Sequence, residues 1–133
     1  MTTEGFAGLY VETRNYGATV AFWRSLGFEP VFETGHGSGQ LEHPAGGPYV
    51  FVSEQHDRPL ETHPILGVAD STAFAPDREL DVAVPWQPEH WGVVQQIVRD
   101  PDGRPVSLQA PLPEGVEAPD ADAHHEEKYG PRA

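Results

Sequence analysis

The chain has no cysteine among its 133 residues. Disulfides and thiolate chemistry are therefore excluded, and the default compartment is the cytoplasm. No apolar run approaches the roughly 20 residues that cross a bilayer as a helix. The start, Met1-Thr2-Thr3-Glu4-Gly5-Phe6, shows no basic stretch followed by an apolar one, so no signal peptide is expected. Basic residues are scarce: 8 Lys and Arg stand against 21 Asp and Glu, for a net charge of −13. Nucleic acid needs basic patches, so it is disfavoured as a partner, and so is an anionic membrane surface. A cationic ligand is compatible. The charge also serves solubility, and part of it lies in the stretch from Glu114 to Glu127.

What is present is an internal repeat. The segment Leu41-Glu42-His43-Pro44-Ala45-Gly46-Gly47-Pro48-Tyr49-Val50 matches Val98-Arg99-Asp100-Pro101-Asp102-Gly103-Arg104-Pro105-Val106-Ser107 at a spacing of 57 residues. Both read as strand, Pro-x-Gly-x-Pro turn, strand. The same spacing aligns Leu9-Tyr10-Val11 with Leu66-Gly67-Val68, and Gly35 with Gly92. Three segments at one spacing point to two diverged copies of one unit.

The first copy, about residues 6–54, reads as β-α-β-β-β. Gly8 to Thr13 is strand-prone. Ala18, Phe22 and Leu26 share a helical face, and Gly27 stops the helix. Phe28–Glu33, Gln40–Glu42 and Tyr49–Ser53 complete the set. The second copy, about residues 63–110, is less regular. Pro64–Ala69 repeats the first strand. Pro76 falls where the helix belongs, so that helix is expected to be shortened or lost. Leu80–Trp86 is a strand, and Val93–Arg99 with Arg104–Gln109 forms a closing hairpin. Pro85 and Pro88 predict a loop over Gln87-Pro88-Glu89-His90. The fold class is thus α+β, two tandem βαβββ modules in one domain over 1–110. An acidic, Pro-rich tail follows over 111–133, mobile or wrapped by a partner.

Ala21-Phe22-Trp23-Arg24-Ser25-Leu26-Gly27-Phe28-Glu29 resembles the helix-to-strand junction of vicinal-oxygen-chelate proteins, the glyoxalase/bleomycin-resistance/dioxygenase superfamily. His90-Trp91-Gly92 with Val98-Arg99-Asp100-Pro101-Asp102-Gly103 is similar to the closing hairpin of its metal-free bleomycin-resistance branch. The resemblance covers about residues 6–110. It implies a homodimer and, in the metal enzymes, a divalent ion held by one side chain on the first and last strand of each module. Carried onto this chain, those places are His63 and Ser107 and, 57 residues earlier, Phe6 and Val50. Only His63 is a good ligand; phenyl and isopropyl groups have no lone pair to give. Tyr49, Phe51, Val106 and Leu108 do no better, so no metal and no cofactor are expected.

Without an ion, the resemblance implies non-catalytic binding or sequestration of a small organic molecule, flat or cationic, of the antibiotic-resistance type. Trp86 and Trp91 flank Glu89 and are candidates to stack on it. Phe6, Val50, His63 and Ser107 would line a mostly apolar pocket, with His63 its titratable group. Arg24, Gln40 and Gln95 or Gln96 are further candidates whose facing the sequence leaves open. Trp23 is read as packing. His36, His43 and His56 are read as solvated, and His124-His125-Glu126-Glu127 as plain charge. The alternatives are a metal-dependent lyase, isomerase or dioxygenase with a remodelled site, and a protein-association domain acting through the tail.

Overall fold

The computed structural model describes residues 2–119. Residues 120–133, and with them His124 and His125, lie outside the described residues. The chain divides into two compact units: one is Phe6–Ile65, and the other joins residues 2–5 to Leu66 and the residues after it.

The first unit, module one, carries β1 (Phe6–Thr13), α1 (Tyr16–Ser25), β2 (Glu29–Glu33), β3 (Ser38–Glu42) and β4 (Tyr49–Glu54). Its strands run in the order β2-β3-β4-β1. The β1–β4 pair is parallel and the others are antiparallel. Only a crossover connection permits a parallel neighbour, and α1 is part of that connection. The core lies between α1 and one face of the sheet. Leu41, Val50 and Val52 are buried there, packed by Val11, Val20, Trp23 and Phe28.

Both ends of α1 are specified locally. Asn15 is extended and accepts a hydrogen bond from the Ala18 amide at 2.9 Å, satisfying one orphan donor. Tyr16 donates its own orphan amide to Glu54 Oε1 at 2.8 Å. At the other end Gly27 N donates to the Arg24 carbonyl at 3.0 Å and Phe28 N to the Trp23 carbonyl at 3.2 Å. Phe28 and Trp23 then meet edge to face at 5.3 Å. This is the Schellman ending, with its hydrophobic contact. It requires the left-handed backbone that Gly27 adopts, at φ +99°.

The second unit, module two, carries most of its weight in β6 (Asp81–Glu89), β7 (Val93–Arg99) and β8 (Pro105–Pro111), in the order β8-β7-β6. β5 (Thr62–Gly67) passes from one unit into the other. Residues 2–5 join module two through hydrogen bonds between Gly67 and both Glu4 and Gly5. The core is Val68, Val94, Val98, Leu108 and Ala110, with Leu66, Phe74, Leu80, Trp86, Val106 and Leu112 against it. The expected loss of the second helix is realised. Only a single 3-10 turn, Ser71–Ala73, stands in its place, capped by Asp70. Leu112 packs on the core, so the segment beyond Pro111 begins as packed structure.

Two expectations need correction here. Gln87–Glu89 is not a loop: β6 runs through Pro85 and Pro88 to Glu89, and the turn begins only at His90. β6 is the last strand of its order; the register shift at Val84/Gln87 spans Pro85, while Pro88 stays in register opposite Val94. An edge strand with bulges tolerates a missing donor that a central strand would not. The repeat spacing also fails inside the closing hairpin. β3 pairs Leu41 with Val50, nine residues on, whereas β7 pairs Val98 with Val106, eight residues on. The first turn is one residue longer, so the structural counterpart of Ser107 is Phe51, not Val50.

The caps give two measurable expectations. In urea unfolding, Asn15→Ala costs about 1 kcal/mol for the lost cap. Gly27→Ala costs about 1–2 kcal/mol for the left-handed backbone alone. Its added Cβ would also lie 2.8 Å from His43 Nε2. Glu54 adds a pH dependence. The Tyr16 amide, and then His56, hold its carboxyl below the usual 4.5. Its contribution is therefore present above that value and is lost as pH falls through the depressed one. Glu54→Gln should flatten this part of the acid limb in a stability–pH profile.

Candidate binding site

Strand alternation sends every second residue of module one away from α1. On β1 these are Phe6, Gly8, Tyr10 and Glu12; on β4 they are Tyr49, Phe51 and Ser53. The face is aromatic. The Tyr10 and Phe51 rings lie within 14° of parallel with centroids 6.3 Å apart. Phe32 of β2 meets Phe51 at 6.4 Å. Gly8 is part of the same surface: a Cβ there would sit 2.5 Å from the Tyr49 ring, which lies across it. Burial pushes the Tyr49 hydroxyl up from its ordinary pKa, so it stays a neutral phenol.

At the end of this face sits a buried acid. The Glu12 side chain is 1% exposed and is bridged by Arg58 Nη2 at 2.6 Å. Arg58 Nη1 donates to its other oxygen at 3.1 Å, completing a bidentate fork. The Tyr10 hydroxyl donates at 2.8 Å and the Glu61 amide at 3.0 Å. Four donors fill the acceptor capacity of the carboxylate. Glu12 is therefore not a general base. It is a clamp that ties the 55–61 connection to β1 and fixes the Tyr10 ring by its hydroxyl. His63, 7% exposed, packs on that ring at 4.9 Å.

Module two presents a different chemistry on the face of its sheet away from the 3-10 turn. Gln109 Nε2 donates to Gln95 Oε1 at 2.8 Å. Gln95 Nε2 and Gln87 Nε2 approach Glu89 Oε1 at 3.5 and 3.4 Å. Glu89 is fully buried, and Ser107, on the same face as Gln109, is 2% exposed. A buried carboxylate and a chain of amides form a buried polar network.

Each expected site residue has a definite place. His63 lies against Tyr10, and Ser107 is on the polar face of module two. Phe6 opens β1 on the aromatic side and is 70% exposed. Trp91 is in the turn between β6 and β7, 46% exposed and edge-on to His90 at 5.0 Å. Two placements correct the sequence reading. Val50 belongs to the core under α1, because the longer first turn moves the inward position to Phe51. Trp86 packs into the core of module two, edge-on to Phe74 at 5.8 Å, so it does not face a ligand alongside Trp91. Gln95 is settled as facing Gln109, and Gln40 pairs with Phe51 on β4. Arg24 is on the exposed surface of α1, 4.0 Å from Glu29.

Sequence reasoning passed over Tyr10, Glu12 and Arg58. Period-two alternation in Gly8-Leu9-Tyr10-Val11-Glu12 places Tyr10 and Glu12 together. Nothing local brings Arg58 to them. A divalent ion does not fit the strand positions that would hold one. Within module one they carry Phe6 and Phe51, two phenyl rings with no lone pair to give. Among the described residues no group of three or more His, Asp or Glu side chains could hold a metal. Nor is any helix there long and apolar enough to cross a membrane.

No family model and no curated protein matches the sequence. Solved structures do. A glyoxalase/bleomycin resistance protein/dioxygenase superfamily member from Vibrio splendidus is 18% identical, with a TM-score of 0.58 over 77% of this chain and 96% of its own. A Mn(II)-bound glyoxalase from Novosphingobium aromaticivorans is 14% identical, with a TM-score of 0.60 over 90% of this chain and 43% of its own. A catechol 2,3-dioxygenase is 14% identical, with a TM-score of 0.52 over 86% and 44%. This chain thus spans less than half of each of the last two. The likeness fixes the architecture: the chain has the vicinal-oxygen-chelate fold found across the glyoxalase/bleomycin resistance/dioxygenase superfamily. A shared fold of this kind hosts many chemistries.

The Glu12 clamp and Gly8 give the checks here. Arg58→Met strands a buried carboxylate and should cost about 3 kcal/mol in urea unfolding. Pairing it with Glu12→Gln should recover most of that loss. Gly8→Ala displaces the Tyr49 ring and should cost about 1–3 kcal/mol by overpacking.

Proposed function

We propose that this chain binds and sequesters a small, flat organic molecule, neutral or cationic, without a metal and without changing it chemically. The observation that carries the reading is Phe51. It stands on the last strand of module one where the metal enzymes of this fold need a ligand atom, and it joins Tyr10 and Phe32 in an aromatic wall. Such a wall binds planar groups by stacking and cations by the negative ring faces. The Glu12–Arg58 clamp supports the same role, because it holds the Tyr10 ring at no cost in ordering when a ligand arrives. A net charge of −13 favours the approach of cations. Sequestration of this kind is the antibiotic-resistance activity suggested by the resemblance in sequence.

Bleomycin A2, with a planar bithiazole and a cationic tail, is a suitable probe. Calorimetric titration in EDTA should give the same affinity as in buffer without chelator. Phe51→Ala should weaken binding up to about tenfold, the equivalent of one lost stacking contact. Stoichiometric Zn, Ni, Mn or Fe in protein purified without chelator, with binding lost in EDTA, would overturn the metal-free reading.

A further inference from the structure

The aromatic wall of module one is a row across four strands. Tyr10 of β1 stands opposite Phe51 of β4, Phe51 opposite Gln40 of β3, and Gln40 opposite Phe32 of β2. The Phe51 and Phe32 rings approach to 6.4 Å, with the strand of Gln40 between theirs. One step along, the same face carries carboxylates. Glu42 follows Gln40 by two residues and lies opposite Glu29 on β2. Glu12, Glu29 and Glu42 therefore share this face. Glu12 is taken up by Arg58 at 2.6 Å, and Glu29 faces Arg24 at 4.0 Å. Glu42 is exposed and, among the described residues, has no ion-pair partner. Gln40 Nε2 donates to its Oε2 at 3.0 Å, which draws the carboxylate back towards the ring row.

We propose that Glu42 is the specificity-determining residue of this site, selecting a planar aromatic cation over a neutral molecule of the same shape. The inference rests on the aromatic wall being the binding surface and narrows its ligand to a positively charged one. A delocalised cation stacked on Phe51 and Phe32 meets the negative faces of both rings. Its charge then stands beside a carboxylate that Gln40 already orients, so little side-chain freedom is lost on binding. Glu29 strengthens the case. It sets a like charge directly across from Glu42, an unfavourable pairing in the free chain. A bound cation relieves that repulsion, whereas a neutral ligand leaves it in place. An anion is disfavoured, because Arg58 is already committed to Glu12 by two hydrogen-bonded contacts.

The probes are 10-methylacridinium, a permanent cation, and acridine at pH 8, a neutral molecule of nearly the same outline. Each is titrated into the full chain and followed by its own fluorescence. At low salt the cation should bind about three- to fivefold more tightly, the range of an exposed ion pair. That preference should shrink as salt rises, a readout that needs no variant. Glu42→Gln should abolish the preference by weakening the cation alone. Glu29→Gln should have a smaller effect than Glu42→Gln, and Phe51→Ala should weaken both probes. Equal binding of the two probes to the unmodified chain, or a preference that survives in folded Glu42→Gln, would overturn the proposal. So would an equal loss in Glu29→Gln, which would trace the preference to the general negative field. Binding of both probes without preference, lost in Phe51→Ala, would overturn the role of Glu42 and leave the aromatic wall standing. Failure of both probes to bind would overturn the wall and this proposal together.

Discussion

Each strand of module one has two faces, and α1 covers only one of them. The helix takes Leu41, Val50 and Val52, which burial in a hydrocarbon core rewards. What remains on the other face is then fixed by alternation: Gly8, Tyr10 and Glu12 on β1, Tyr49 and Phe51 on β4. The aromatic wall is thus the complement of the core. A single residue gained or lost in a turn exchanges the two sets. The first hairpin has such an extra residue relative to the second, and this is why Phe51 rather than Val50 stands opposite in role to Ser107.

The clamp on Glu12 shows how a buried charge is made tolerable and useful together. An isolated carboxylate so deeply buried would be very costly. The bidentate Arg58, the Tyr10 hydroxyl and the Glu61 amide compensate it. The same contacts anchor an otherwise polar connection and orient a ring of the wall. Module two solves a related problem with amides, setting Gln87 and Gln95 towards Glu89. One module therefore lines this face with aromatic rings and the other with buried hydrogen-bonding groups, although both follow the same strand pattern.

The divergence also lies in what covers the opposite faces. Module one keeps its helix because Asn15, Gly27 and the Trp23–Phe28 contact specify both ends. Module two has Asp70 as a start signal but Pro76 six residues later, and the turn ends at Ala73. The apolar residues beneath did not change to match. Val98, Val106 and Leu108 still read as the floor of a helix-covered core, and Phe74 and Leu80 pack against that core in the helix's stead.

Much of this was legible in the chain itself. The repeat, the βαβββ order, the helix stop at Gly27 and the lost second helix are local signals, carried by turn chemistry and by the period of apolar residues. Only the tertiary structure decided the rest. Whether β6 could run through Pro85 and Pro88 depended on its being an edge strand. Whether Trp86 met a ligand or the core depended on Phe74. The pairing of Glu12 with Arg58 joins residues far apart in sequence, and no local period records it. The register of the first hairpin was set by one extra turn residue whose effect appears only once the strands are paired. The sequence by itself determined which elements form and what chemistry they carry. The pairing of strands determined which way each side chain faces, because a period of two turns a shift of one residue into a change of side.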